Sequence, residues 1–208
     1  VAQAQGSEPL FANKAPLRIV VGYPPGGATV RVGRLVADRL QAKRGSTVIV
    51  ENKPGAGTGV GASYVARAAA DGDTLLLATS TTLAVNPALY KKLSYNPARD
   101  FAPVALIAAV PLVVVISPRL PVSNLAELVA LARSKPGGLS YGSAGSGTPQ
   151  HLGGELFKSM AKVEISHIPY KGAGPATIAA LGGEVSFALV GAPPLLPDIQ
   201  TCKLVALA

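Results

Sequence analysis

Glycines, hydroxyls and a tyrosine gather at three places in this chain where an anion could be held. An apolar run, Ile19-Val20-Val21-Gly22, empties into Tyr23-Pro24-Pro25-Gly26-Gly27, and a helix is expected to open at Thr29. Glycine at such a junction leaves backbone N–H groups bare at a helix N-terminus, where the peptide dipoles favour negative charge. Gly26, Gly27, Ala28 and Thr29 would then aim N–H groups at a carboxylate or phosphate, with Tyr23 as a wall. An ordinary strand-to-helix turn uses the same residues, and this stretch alone does not separate the two.

The device recurs. Leu139-Ser140-Tyr141-Gly142 runs into Ser143-Ala144-Gly145-Ser146-Gly147-Thr148, and a helix opens at Pro149. Here Gly145, Ser146, Gly147 and Thr148 offer both hydroxyls and N–H groups. In an open α/β sheet such loops lie at the carboxyl ends of strands, where ligands bind. Thr79, Ser80 and Thr81 form a third polar strand end, readable as hydroxyl donors or as a local turn or cap.

Catalytic chemistry is poorly supplied. Ser143 and Ser146 precede His151, but no GxSxG occurs, and Glu155 shares a helix with His151 instead of orienting it from behind. His151 therefore reads as a capping or ligand-contacting histidine, and His167 as part of a strand. Two separated histidines and the single Cys202 make no metal site, and no cofactor is expected. Gly57-Thr58-Gly59-Val60-Gly61-Ala62 fits a GxGxxA pattern, yet several residues separate it from the preceding strand. No acidic residue follows at a strand end to take a ribose, and there is no GK[ST]. That loop reads as a mobile or lobe-contacting segment.

Alternating short β-type runs and helical patterns must position these loops. Strands are predicted over 17–22, 47–51, 74–79, 104–109, 112–117, 139–142, 164–168, 185–190 and 203–207, with helices between them. From Thr29 to Lys43, Val32, Leu35, Val36 and Leu40 share one face. Ser123 or Asn124 can cap the next long helix, and Lys135-Pro136-Gly137-Gly138 stops it. Thr148 followed by Pro149 is a helix start, and Gly174-Pro175 opens another. The alternation predicts parallel sheets covered by helices on both faces. The proline-rich stretch near Pro103 is the expected boundary between lobes 1–103 and 104–208.

The 208 residues can bury a core, with 49% apolar and only 14% charged. The longest apolar run, Val104 to Ile116, is broken by Pro111 and too short for a bilayer, so no membrane span is expected. The net charge of +8 is spread singly and in pairs, without a basic block interleaved with aromatics, which argues against nucleic acid. A diffuse positive field that draws in small anions fits it, as does a solvated basic surface with no role. Ala2-Gln3-Ala4 is similar to the small-residue end of a secretory signal.

Taken in order, IVVGYPPGG (19–27), VIVENKPGAG (48–57), VARAAADGDTLLL (65–77), NPALY (86–90), DFAPV (100–104), YGSAGSGT (141–148), HLGGELF (151–157) and HIPYKG (167–172) resemble the solute receptors of tripartite tricarboxylate transporters, the Bug receptors. The resemblance covers the chain from Pro16 onward. It implies a two-lobed α/β periplasmic binding protein of the type II kind, with mostly parallel sheets flanked by helices and a cleft between the lobes. It further implies a non-enzymatic receptor in the periplasm of a Gram-negative bacterium. Such a receptor closes on a small carboxylate and delivers it to a membrane permease, as a monomer when full-length. A sensory receptor for the same ligand, or a hydrolase using Ser146 and His151, are the competing classes.

By the same resemblance, the ligand is held by Tyr23, Gly26, Gly27, Ala28 and Thr29 on one side and by Gly145, Ser146, Gly147, Thr148 and His151 on the other. Thr79, Ser80, Thr81 and Val190 contribute. Two positions often acidic in the family are Val30 and Val190 here, which disfavours a ligand bearing an ammonium group. Family members also continue past the segment matching Lys203–Ala208, through a return crossing that completes the first lobe.

Overall fold

A computed structural model describes residues 15–208, so Ala2-Gln3-Ala4 lies outside the described residues. Two sheets organise the chain. The first has the order β2-β1-β3, built from β1 (Leu17–Val21), β2 (Val48–Asn52) and β3 (Thr74–Leu77). All its pairings are parallel, with Leu17 opposite Val48 and Arg18 opposite Thr74. The alternating apolar side chains of β1 decide the packing. Ile19 and Val21 meet Val30 and Ala37 of α1 (Ala28–Arg44) in one apolar cluster. Lys43 and Arg44 occupy the last turn of α1, where cations oppose the negative helix end, and Gly45 closes it in the left-handed conformation.

The segment from Gly55 to Gly61 is tied by hydrogen bonds to its own lobe. A 3₁₀ turn at Ala56–Thr58 leads into α2 (Gly59–Ala66), and Thr58 Oγ1 lies 2.8 Å from Thr82 Oγ1. Asn86, at the start of α3 (Asn86–Leu89), donates through Nδ2 to the Gly57 carbonyl at 2.7 Å, and the short α4 (Pro97–Asp100) follows. Gly22 is what lets this loop close over the end of β1: a methyl there would come within 2.7 Å of Thr58 Cβ. Thr58 itself holds φ of 76°, a left-handed conformation that a β-branched residue keeps only when its surroundings fix it.

The second sheet has the order β6-β5-β7-β4-β8, from β4 (Leu112–Ile116), β5 (Leu139–Ser143), β6 (Ile165–Pro169), β7 (Phe187–Gly191) and β8 (Val205–Ala206). β5 pairs parallel with both β6 and β7, whereas β4 runs antiparallel to β7 and β8. The expectation of parallel sheets thus holds for the first sheet and half of the second. α5 (Leu125–Ser134) and α6 (Pro149–Ala161) cover one face around Ile116, Leu128, Tyr141 and Phe187, all fully buried. α7 (Ala173–Gly182) covers the other face with Ala176, Ala179 and Ala180 against Val115, Ala188 and Val190. Each large side chain so buried contributes about 1.5–3 kcal/mol. Asn124 caps α5 by accepting from the Glu127 N–H, and Thr148 caps α6 by accepting from the His151 N–H.

One expected strand is absent. Residues 104–109 are irregular, with Val104 81% and Leu106 93% exposed. Among the described residues no strand lies beside them to complete a ladder, and Pro103 and Pro111 at either end donate no N–H. Among the described residues no helix is long and apolar enough to cross a membrane.

Candidate functional site

β1 ends at Val21, and the chain turns through Tyr23-Pro24-Pro25-Gly26-Gly27 to start α1 at Ala28, one residue before the expected opening. Gly26 has φ of +102°, which glycine alone adopts without strain. Gly27 is extended and no side chain caps α1. Among the described residues no acceptor meets the N–H groups of Gly27, Ala28 or Thr29, and no acidic side chain sits in that first turn. Asn52 Nδ2 donates to the Tyr23 carbonyl at 2.8 Å and pins the turn to β2.

The opposing surface is the start of α7. Its N-cap, Gly172, has φ of +113° and again no side chain caps the helix. A methyl placed on Gly26 would lie 3.9 Å from Gly174 Cα, and one on Gly27 would lie 3.7 Å from Ala173 Cβ. Gly172 fits so closely that a methyl would approach Pro24 Cγ to 2.6 Å. The positive ends of α1 and α7 therefore confront each other across the junction of the lobes. Nothing in Gly174-Pro175 alone announces this, because the confrontation depends on how the two sheets are juxtaposed.

The loop after β5 lies beside this junction, since Gly172 N–H donates to the Ala144 carbonyl at 3.2 Å. Its own donors are largely spent inside the loop. Gly145 N–H donates to Ser143 Oγ at 3.1 Å, Gly147 N–H to His151 Nδ1 at 3.1 Å, and Thr148 Oγ1 to the Gly145 carbonyl at 2.6 Å. Gly145 and Gly147 sit at φ of +129° and +76°, and Ser146 is exposed. The loop thus offers the Ser146 hydroxyl and N–H, with Gly145, Gly147 and Thr148 shaping it.

A relay of hydroxyls joins the lobes. Thr79 Oγ1 donates to the Tyr23 hydroxyl at 3.2 Å, and Tyr23 donates to Thr81 Oγ1 at 3.2 Å. Thr81, fully buried at the start of a π-helical turn over Thr81–Val85, donates onward to the Gly147 carbonyl at 3.4 Å. Ser80, between them, is exposed. Arg31 Nη1 adds a second tie across the lobes, donating to the Pro193 carbonyl at 3.3 Å. Val190 is fully buried and packs in the apolar cluster beneath α7. The adjacent Gly191 closes on Ala28: a methyl there would lie 2.9 Å from Ala28 Cβ.

Behind the second loop stands a cluster the sequence reading did not assemble. His167 Nε2 lies 2.7 Å from Ser143 Oγ, and its ring stacks on His151 with centroids 4.1 Å apart and on Tyr141 at 4.9 Å. The signal was the pairing of β5 with β6, which places Tyr141 opposite His167. Tyr141 donates to Glu155 Oε1 at 2.9 Å, and Lys158 Nζ donates to the same carboxylate at 2.8 Å. Burial lowers the His167 pKa and nearby His151 lowers it further, so His167 favours the neutral form. Lys158 holds Glu155 below the usual carboxylate range, and burial raises Tyr141. Ser146 makes no hydrogen bond to His151 among the described residues, whose Nδ1 is occupied by Gly147. Gln150, in the first turn of α6, keeps a buried side-chain oxygen without a partner among the described residues. Among the described residues no group of three or more metal-binding side chains assembles.

Known proteins share this architecture. Protein BugT of Bordetella pertussis is 39% identical over 212 residues, an alignment covering all of this chain and 65% of BugT. The structure of Rhodopseudomonas palustris Rpa4515 with adipate superimposes with a TM-score of 0.90 at 36% identity, over 93% of this chain and 65% of that one. MatC from the same organism, with bound malate, superimposes with a TM-score of 0.84 at 30% identity, over 93% and 66%. The chain spans just under two thirds of the length of BugT and Rpa4515. The fold is that of a two-lobed periplasmic binding protein. Residues 32–208 match the tripartite tricarboxylate transporter family receptor, TctC, and the chain belongs to that family.

Proposed function

We propose that this protein captures a small carboxylate between lobes 1–103 and 104–208 in the periplasm of a Gram-negative bacterium and delivers it to a membrane permease, without catalysing a reaction. The observation that carries this reading is the confrontation of two uncapped helix N-termini, α1 at Gly27-Ala28 and α7 at Gly172-Ala173. Two positive helix ends face to face repel unless an anion lies between them. The relatives' adipate and malate are dicarboxylates, the kind of ligand such a junction suits.

Helix ends do not suffice alone. Each offers about 0.3–1 kcal/mol, up to about 2 when partly buried. Micromolar affinity needs about 8 kcal/mol. Direct hydrogen bonds from Gly27, Ala28, Thr29, Ala173, Gly174 and Ser146, together with lobe closure, supply the remainder. No acidic side chain occupies the first turn of α1, α6 or α7, and Val30 is buried. An ammonium group would find no counter-charge there, so simple acids are expected over amino acids. A thermal-shift screen of adipate, malate, citrate, aspartate and glutamate tests this. A ligand at 100 times its dissociation constant adds about 2.7 kcal/mol of stability. Stabilisation by aspartate or glutamate ahead of adipate and malate would overturn the selectivity, and no response to any acid would overturn the receptor reading.

A further inference from the structure

We propose that His151 and His167 are positioning residues for carboxylate capture: as a neutral stacked pair they hold the Gly145–Thr148 loop in its closing shape, and taking up a proton releases that loop. The inference rests on the receptor reading above and adds a pH dependence to it.

Geometry sets the tautomer of His151. His151 Nδ1 accepts from the Gly147 N–H, so the ring proton resides on Nε2. An imidazolium has no acceptor, and the contact would become one N–H facing another. His167 supports the arrangement from behind. Its Nε2 bonds the fully buried Ser143 Oγ, which in turn accepts from the Gly145 N–H. Each histidine thus governs one glycine of the loop. The Gly147 carbonyl then receives the Thr81 hydroxyl from the first lobe. Loosening His151 loosens the point at which the lobes are joined.

The groups facing His167 explain why its neutral form is favoured. Tyr141 of β5 stacks on His167 and carries no charge. Glu155 of α6 would favour a protonated ring, but it is already engaged by Lys158 and by the Tyr141 hydroxyl. Lys158 itself opposes a further positive charge. The stacking at 4.1 Å means that a positive charge on the His151 ring opposes one on His167. Histidine side chains ordinarily titrate near 6.5, and burial places His167 below that value.

The test uses the ¹⁵N-labelled chain between pH 7.5 and 5.0, following the histidine ring nitrogens and the Gly147 amide, with adipate affinity measured at each pH. The expected result is an unprotonated His151 Nδ1 at pH 7.5 and a Gly147 amide that shifts in step with the rings. Adipate binding should weaken about three- to tenfold by pH 5.5, the worth of one lost hydrogen bond. His151→Asn places an amide oxygen where Nδ1 stood, so its adipate affinity should lose that dependence beyond what protonation of adipate itself causes. A Gly147 amide indifferent to the histidine titration, or an Asn variant as pH-dependent as the parent, would overturn the proposal. Failure of adipate to bind while the ring and amide signals behave as described would count against the choice of ligand and leave the loop mechanism standing.

Discussion

The hydroxyl of Thr81 donates to the carbonyl oxygen of Gly147 across 3.4 Å, and that bond joins the polar end of the first sheet to the loop after β5. Thr81 also receives the Tyr23 hydroxyl, so one buried oxygen serves both lobes. Thr81→Val keeps the shape and deletes both bonds. The unpaired Gly147 carbonyl and Tyr23 hydroxyl should cost about 1–3 kcal/mol in the closed form. Carboxylate affinity should fall by about five- to 150-fold in calorimetry, with less change in ligand-free unfolding. An unchanged affinity would show that the relay does not report on closure.

Thr29→Asp separates anion binding from helix stability. A carboxylate in the first turn of α1 satisfies the same N–H groups and dipole that a ligand would use. Helix stability should be kept or raised by about 0.3–1 kcal/mol while carboxylate binding is lost. Retained binding would place the ligand away from the α1 terminus.

Gly191→Ala tests closure by wedging it. The new methyl would stand 2.9 Å from both Ala28 Cβ and Val110 Cγ1, at a backbone conformation any residue adopts. Overpacking of this kind costs about 1–3 kcal/mol. Because Ala28 belongs to the opposite lobe, the cost should appear as a more open average shape in small-angle scattering and as weaker adipate binding. Loss of global stability with normal compaction would mean that the wedge acts inside one lobe only.

His167 gives stability its own pH profile. Its folded pKa lies below that of the unfolded chain, near 6.5, chiefly through burial. Between the two values the unfolded chain holds a proton that the folded chain lacks, so stability rises with pH in that window. The melting temperature should therefore drop as pH falls from 7 and level off once the folded protein is protonated too. Carboxylates held low, such as Glu155 and Asp100, act only in a more acidic window. His167→Gln, which can still bond Ser143 Oγ, should flatten the profile above pH 5, and an undiminished slope would assign it elsewhere.

Local chemistry was legible wherever it acts over a few residues. Thr148-Pro149, Ser123-Asn124 and Gly26-Gly27 each state a helix start in their own sequence, and the helices begin there, with Asn124 as the cap of α5. Val104–Ala109 misled because an apolar run states only that burial is wanted. Whether a partner strand lies alongside is a property of the fold. The site divided the same way. Both glycine loops could be read, but not the consumption of the Gly145 and Gly147 donors by Ser143 and His151. Nor could the facing of α1 by α7, because Gly26 and Gly174 are far apart in sequence and meet only across the lobes.

The order of strands carries a consequence for how the chain reaches this structure. β1 finds β2 after a single helix and β3 one strand later, so the first sheet closes over shorter stretches of chain. β4 must wait for β7, beyond α5, β5, α6, β6 and α7, before its ladder can form. Closing that longer loop is entropically slower. Pulse-labelled hydrogen exchange should find the amides of β1 protected before those of β4. The half-site at Gly26–Thr29 would then exist first, waiting for the jaw that answers it.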